Sequence, residues 1–187
     1  MSDISIAILP GSTREASVNR QLAKAFALAL QAKGVSASVV EPADYPLAMY
    51  SGDDEANGNF PEKLDALAAE LARHQAVILV SPEYNACTTP LLKNIIDWLS
   101  REKEHNVYER RIFALAAASP GGLGGIRCLS HLRDMMVSIG ADTLTAQLAV
   151  SGAGQAFNDE GHLTAERPAA MMDAMCDKLI ASAKRYA

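Results

Sequence analysis

ISIAILPGSTREASVNRQLAKAF, residues 4–26, holds the alternation on which the rest of the chain is built. Its first six residues are mostly apolar and rich in isoleucine, as in a strand buried on both faces. Val18, Leu22, Phe26 and Leu30 then recur every four residues along one face of a helix, and Gly34 closes it. Between strand and helix lies a turn of glycine, hydroxyl residues and Arg14. A turn this polar at the end of an apolar strand either caps a helix at Ser17 or binds an anion.

The same pattern repeats downstream. VSASVVE (35–41) reads as a second strand and residues 42–60 as a long loop. Pro61 is expected as a first helical residue, with Leu64, Leu67, Ala68, Leu71 and Ala72 as the apolar stripe. AVILVS (76–81) is a central strand, followed by Thr89-Pro90 as N-cap and first helical residue and by Leu92, Ile95, Ile96 and Leu99 at helical spacing. RIFALAAAS (111–119) is the fourth strand. Leu129, Leu132, Met136 and Ile139 mark the helix after it, closed by Gly140. DTLTAQLAV (142–150) is the fifth strand. A last helix starts near Thr164 and turns Met172, Met175, Leu179 and Ala183 inward.

Five β-α repeats without a linker make residues 1–187 a single α/β domain with helices on both faces of a parallel sheet. Five strands favour the flavodoxin-like, doubly wound order 2-1-3-4-5. Ligands of such sheets bind outside the carboxyl ends of the strands, near the switch between strands 1 and 3. The unusual residues fall in the turns after strands 1, 3 and 4, as that rule requires.

Composition narrows the function. Hydrophobic residues make up 49% of the 187, enough for a sizeable core. The net charge of −5, from 17 basic and 22 acidic residues without a basic block, argues against nucleic acid and against a polybasic membrane footprint. MSDISIAILPG does not have the form of a signal peptide, and the apolar runs are too short to span a membrane, so a soluble, cytoplasmic protein is expected. Cys87, Cys128 and Cys176 form no CxxC, and the four histidines show no metal-ligand spacing; neither a disulfide framework nor a metal site is expected.

Each turn supports its own chemistry. In PGSTREASVNR, Ser12, Thr13, Ser17 and Asn19 offer neutral donors and Arg14 a guanidinium fork beside a helix N-terminus. With no GK[ST] and no GxGxxG, a terminal phosphate monoester fits better than a triphosphate or a pyrophosphate. In SPEYN, Tyr84 and Asn85 either border a planar ligand or, for the tyrosine, pack into the core. No base is in sight to activate Cys87. SPGGLGGIR (119–127) is either a loose loop or a turn whose glycines let backbone approach a ligand.

Taken together, GSTREASVNR, PEYNACTTPLLKNIIDWLSR, SPGGLGGIR and AFNDEGHL resemble, in order and over nearly the whole chain, the NADPH-dependent FMN reductase family, which includes chromate reductases, azoreductases and quinone reductases. The resemblance implies noncovalent FMN. It assigns Ser12, Arg14, Ser17 and Asn19 to the phosphate, Pro82, Glu83, Tyr84 and Asn85 to the ribityl chain and isoalloxazine, and Ser119, Gly121 and Gly122 to the other side of the ring. It implies hydride transfer from NADPH or NADH to flavin N5 and then two electrons to a quinone, azo compound, chromate or similar acceptor, in ping-pong order, with no catalytic side chain. It also implies a homodimer or homotetramer, in which Tyr50 of the 42–60 loop would reach a neighbouring site. Arg101 and Arg127 are open to two roles, nucleotide phosphate binding or ion pairing. One departure is Ala86-Cys87, where relatives often carry Gly-Ser; it bears on the backbone beside the flavin and leaves Cys87 a thiol open to oxidation. An electron-carrier flavodoxin is the alternative; Arg14 and the modest charge argue against it. A receiver domain is excluded, because its paired acids and phospho-acceptor aspartate are absent from PGST and SPEYN.

Overall fold

The computed structural model describes residues 4–187. The reading of the N-terminus as lacking a signal peptide falls partly on residues 1–3, outside the described residues. Five strands run parallel: β1 Ser5–Pro10, β2 Ser36–Val39, β3 Ala76–Val80, β4 Ile112–Ala118 and β5 Asp142–Val150. Their order is β2-β1-β3-β4-β5, so the expected flavodoxin-like topology is the observed one. Ile8 pairs with Val39 on one side and with Ile78 on the other, and Ile78 pairs with Ala114.

Five helices cover the sheet, α1 Val18–Ala32, α3 Leu64–Ala72, α4 Pro90–Leu99, α5 Ile126–Ser138 and α6 Glu166–Ala183, and a short helix, α2 Gly52–Ala56, buries no residue of its own. Successive strand residues point to opposite faces, which divides the interior in two. Ile6, Ile8, Ile78 and Val80 meet Leu22 and Phe26 of α1 and Met175 and Leu179 of α6. Leu9, Val77, Leu79 and Phe113 meet Leu67 of α3, Ile95 and Trp98 of α4 and Leu132 of α5. Every residue of β3 and β4 is buried, as expected of central parallel strands. Among the described residues no helix is long and apolar enough to cross a membrane.

Three boundaries depart from the sequence reading. The 42–60 stretch is not a plain loop: it holds a 3-10 turn at Pro42–Asp44 and the short α2. Side chains of α4 satisfy its backbone: the Asn94 carboxamide accepts from Tyr50 N at 2.7 Å and donates to Ala48 O at 3.0 Å, and Trp98 Nε1 donates to Ala48 O at 2.8 Å. Tyr50 is held within its own chain, edge-on to Trp98 at 5.1 Å with its hydroxyl 2.6 Å from Glu55 Oε2. Pro61 stands outside α3, in a tight turn whose carbonyl accepts from Leu64 N at 3.0 Å. α6 begins two residues after Thr164, whose N–H turns back to Ala156 O at 3.0 Å.

Candidate functional site

The turns after β1, β3 and β4 meet around one cavity of about 140 Å³, lined by Ser12, Arg14, Ser17, Asn19, Pro82, Glu83, Tyr84 and Ser119 among others. A larger hollow of about 530 Å³ lies by Phe60, Leu64 and Arg101, but it gathers mixed charges around an apolar wall and none of the three turns.

The first turn is anchored at both ends. Gly11 N donates to Val80 O at 2.8 Å, and Thr89 Oγ1 donates to Gly11 O at 2.8 Å while accepting from Leu92 N. A β-carbon on Gly11 would lie 3.2 Å from Leu92 Cβ, so glycine lets α4 dock against the end of β1. Ser17 caps α1, accepting from Asn19 N and Arg20 N. Between these anchors the N–H groups of Ser12, Thr13, Glu15, Ala16 and Val18 meet no acceptor among the described residues. The buried Ser12 hydroxyl accepts from Arg14 N at 3.3 Å. Arg14 is exposed and enters no ion pair among the described residues. Clustered free donors at a helix N-terminus beside an uncommitted guanidinium form an anion site.

Two residues assigned to the ligand by resemblance also hold protein partners across the cavity. Asn19 lines the cavity but is 2% exposed, and its carboxamide bonds the backbone of Ala118: Nδ2 donates to Ala118 O and Oδ1 accepts from Ala118 N, both at 2.8 Å. Glu83 reaches across to α5, where it accepts from Arg127 N at 3.1 Å and Cys128 N at 3.2 Å and pairs with the Arg127 guanidinium. Its desolvation favours the neutral acid, but the Arg127 guanidinium and the helix N–H groups outweigh that and hold the carboxyl below its ordinary range. Glu83 therefore caps α5 with its charge already met. Arg127 is the partner in that ion pair, and Arg101 lies 3.6 Å from Glu55 and over the Tyr50 ring; of their two open roles, both show the ion pair.

Tyr84 rims the cavity as an exposed residue and Pro82 is buried in its wall, while Asn85, also exposed, follows Tyr84 outside the lining. Tyr84 and Cys87 exchange both backbone hydrogen bonds, at 2.9 and 3.0 Å, around Asn85 (φ +50°) and Ala86 (φ +65°). This is a two-residue turn with both central residues left-handed. After β4, Ser119 Oγ accepts from Gly121 N at 3.3 Å. Gly121 and Gly122 lie exposed, with ordinary backbone angles. The positive φ values belong instead to Gly124 (+63°) and Gly125 (+89°), whose close neighbours are β5 and β4 backbone and Ala117. The expected glycine requirement exists, three residues later and toward protein.

Arg20, the last residue of GSTREASVNR, was not among the expected ligands. It supports the turn from beneath, paired with Glu41 at 3.0 Å while its other nitrogen lies 3.5 Å from Arg14 O. Burial pushes the Cys128 thiol up to about 11 and the Cys176 thiol to about 12, so both are protonated near neutrality. Outside the three turns, Asp65, Glu104 and His105 bring ligand-capable atoms within 4.8 Å of one another, a juxtaposition that sequence spacing did not reveal.

Comparison with known proteins agrees with this geometry. The profile described as NADPH-dependent FMN reductase matches residues 4–155. A quinone reductase of Pseudomonas putida is 31% identical over 175 residues, 93% of this chain and 91% of that protein. A quinone reductase of Escherichia coli K12 is 33% identical over 138 residues, 74% of this chain and 72% of the other. The flavoenzyme NAD(P)H:(acceptor) oxidoreductase FerB of Paracoccus denitrificans shares the fold, with a TM-score of 0.83 at 23% identity and 98% coverage of both chains. On the extent of the profile match and of these relatives, the chain belongs to the NADPH-dependent FMN reductase family.

Proposed function

We propose that this protein is an NAD(P)H-dependent quinone reductase that holds FMN noncovalently at the three turns and serves reductant and acceptor in ping-pong order. The observation that carries this reading is the first turn: five N–H groups without acceptors, the Ser12 hydroxyl and an uncommitted Arg14, at the switch point of the sheet. That donor set fits a phosphate monoester. Bound FMN supplies the two-electron chemistry, accepting hydride from NAD(P)H and passing electrons to the acceptor. At about 140 Å³ the cavity is below the roughly 300–1,000 Å³ of a whole ligand pocket. This suits the phosphate end of a ligand whose ring lies along the open rim.

Ser12 and Arg14 hold the phosphate in this reading, and Ser17 shapes the turn as its cap. Pro82, Tyr84 and Asn85 flank the ring on one side, and Ser119, Gly121 and Gly122 on the other. The exposed Tyr84 and Leu123 give this rim an apolar border suited to a planar acceptor. Quinones are the first acceptors to try, with azo compounds and chromate as further candidates. A cytoplasmic homodimer or homotetramer completes the reading, and light scattering on the purified protein reads the assembly.

The deciding measurement is the visible spectrum after reconstitution with FMN, followed anaerobically. Flavin bands that bleach with NADPH and return with a quinone establish the activity. Bands that persist mark a carrier reduced by another protein, and no bands refute the FMN site. Arg14→Ala tests the phosphate assignment, because removing an exposed side chain without an ion pair leaves folding within about 0.5 kcal/mol of wild type. FMN affinity should fall about tenfold or more, on the scale of one lost charge-assisted contact. A variant that binds FMN as wild type does would refute the assignment.

A further inference from the structure

The carboxyl end of the sheet is split. β3 follows β4 as far as Val80, opposite Ala116, and the last bond across that edge runs from Ser81 N to Ala116 O at 2.8 Å. β3 then turns away into SPEYN while β4 continues to Ala118. In a parallel ladder the N–H and C=O of residues two apart face the same neighbour. Ala118 therefore presents its polar groups toward the space that β3 has left. Left unmet there, they would be a buried donor and acceptor at the floor of the cavity.

Asn19 stands in for the missing strand. Its carboxamide meets both groups of Ala118, at 2.8 Å each, from the first turn of α1. The residues it joins are 99 positions apart, and they belong to the two turns on either side of the cavity, one carrying Ser12 and Arg14, the other Ser119 and Gly121. The side chain is 2% exposed, and each of its polar atoms already holds a bond to the backbone of Ala118.

We propose that Asn19 is a positioning residue for FMN: a side-chain clamp that fixes the spacing between the phosphate turn and the turn after β4. The inference rests on the FMN reading above. A ligand that touches both turns binds more tightly when their spacing is set in advance, because ordering them is not charged against binding. Sequence resemblance assigns this asparagine to the phosphate; the geometry also ties it to the scaffold.

The test titrates apo-protein with FMN, following loss of flavin fluorescence, for wild type, Asn19→Leu and Asn19→Asp at about pH 8 and about pH 5.5, which bracket the titration of a buried acid. Unfolding midpoints of the apo-proteins are measured alongside. Asn19→Leu keeps the branched shape, with bulkier methyl ends, and loses both bonds. It should remain folded at the titration temperature and bind FMN about tenfold or more weakly than wild type at both pH values, the scale of a buried pair left unmet. Asn19→Asp should be as weak at the higher pH, where a carboxylate faces Ala118 O. As the pH falls and the acid is protonated, it donates to Ala118 O and accepts from Ala118 N as the amide does, and its affinity should return to within about threefold of wild type. Charge repulsion of the phosphate predicts a different result, since it leaves Asn19→Leu normal. Riboflavin, which has no phosphate, separates the two even if Asn19→Leu fails to fold: repulsion leaves its binding to Asn19→Asp at the higher pH as in wild type, and the clamp weakens it. Asn19→Leu within about twofold of wild type, or Asn19→Asp holding riboflavin normally at the higher pH, would overturn the clamp while leaving the FMN reading intact. Wild-type protein that takes up no FMN would overturn both.

Discussion

Ala86→Gly should make this protein more stable. The turn Tyr84–Cys87 is closed by two backbone hydrogen bonds of 2.9 and 3.0 Å and forces both central residues to positive φ. Asparagine tolerates that region at Asn85, but alanine at φ +65° brings Cβ against its own carbonyl, at a cost of about 1–2 kcal/mol. Glycine removes this strain and returns about 0.4–1 kcal/mol as added freedom of the unfolded chain. The balance is a net gain of about 0.5–1 kcal/mol, or about 1–4 °C in Tm for a domain of this size. Ala86→Val is the control, because a β-branched residue fits positive φ worse than alanine. Urea unfolding of the apo-proteins should therefore rank Gly above Ala above Val with a common m-value. A glycine variant equal to or less stable than wild type would show that Ala86 does not sit in the left-handed region, and the turn would need another geometry.

Two further perturbations test the frame around the site. Gly125→Ala should destabilise the fold by roughly 3 kcal/mol or more in urea unfolding, since its Cβ would lie 2.6 Å from Ala117 Cβ, in the middle of the sheet, at φ +89°. Gly122→Ala, with open space around the new methyl, should stay within about 0.5 kcal/mol of wild type, and equal effects at the two glycines would refute the division between them. His74 is buried with Nδ1 3.1 Å from Ser5 Oγ; desolvation lowers its pKa, opposed by Glu70. The unfolded chain then binds a proton that the folded one does not, so this contribution is intact above about pH 6.5 and is lost as pH falls toward the folded value. His74→Gln should flatten the stability profile just below about pH 6.5, and an unchanged slope would remove His74 from the account.

Strand order and helix faces were legible because burial writes them along the chain. β3 and β4 are apolar at every position, and α4 shows its stripe at the expected spacing, with Thr89 and Pro90 opening it as read. The turns could be located by the same logic, since they are where that pattern breaks. Which way each side chain faces could not, because the partners are remote. Asn19 meets Ala118 across 99 positions and Glu83 meets Arg127 across 44, and no local spacing encodes either pairing. The glycine cluster fails in the same way. Which two of its glycines need positive φ depends on how closely Ala117 and the end of β5 approach, so Gly121 and Gly122 looked equivalent to Gly124 and Gly125. Likewise the 42–60 segment carries turn formers in its sequence, but it is Asn94 and Trp98 of α4 that give it a fixed path.

An acid beside an anion site raises a final question of charge. Glu83 lines the same cavity as Arg14, and a bare carboxylate there would oppose a phosphate. The fold removes the conflict by giving each charge its own partner. Glu83 is held by the Arg127 guanidinium and by the N–H groups that open α5, a helix terminus that would otherwise be a second anion site. Arg20 is bound to Glu41 on the far side of the first turn. Of Arg14, Arg20 and Arg127, only Arg14 enters no ion pair among the described residues, and it stands beside the free N–H groups of the first turn. This arrangement suits one phosphate at one end, with the helix on the opposite wall already capped. A monophosphate cofactor suits this arrangement better than a dinucleotide, whose pyrophosphate would need donors along the groove where Glu83 has taken them.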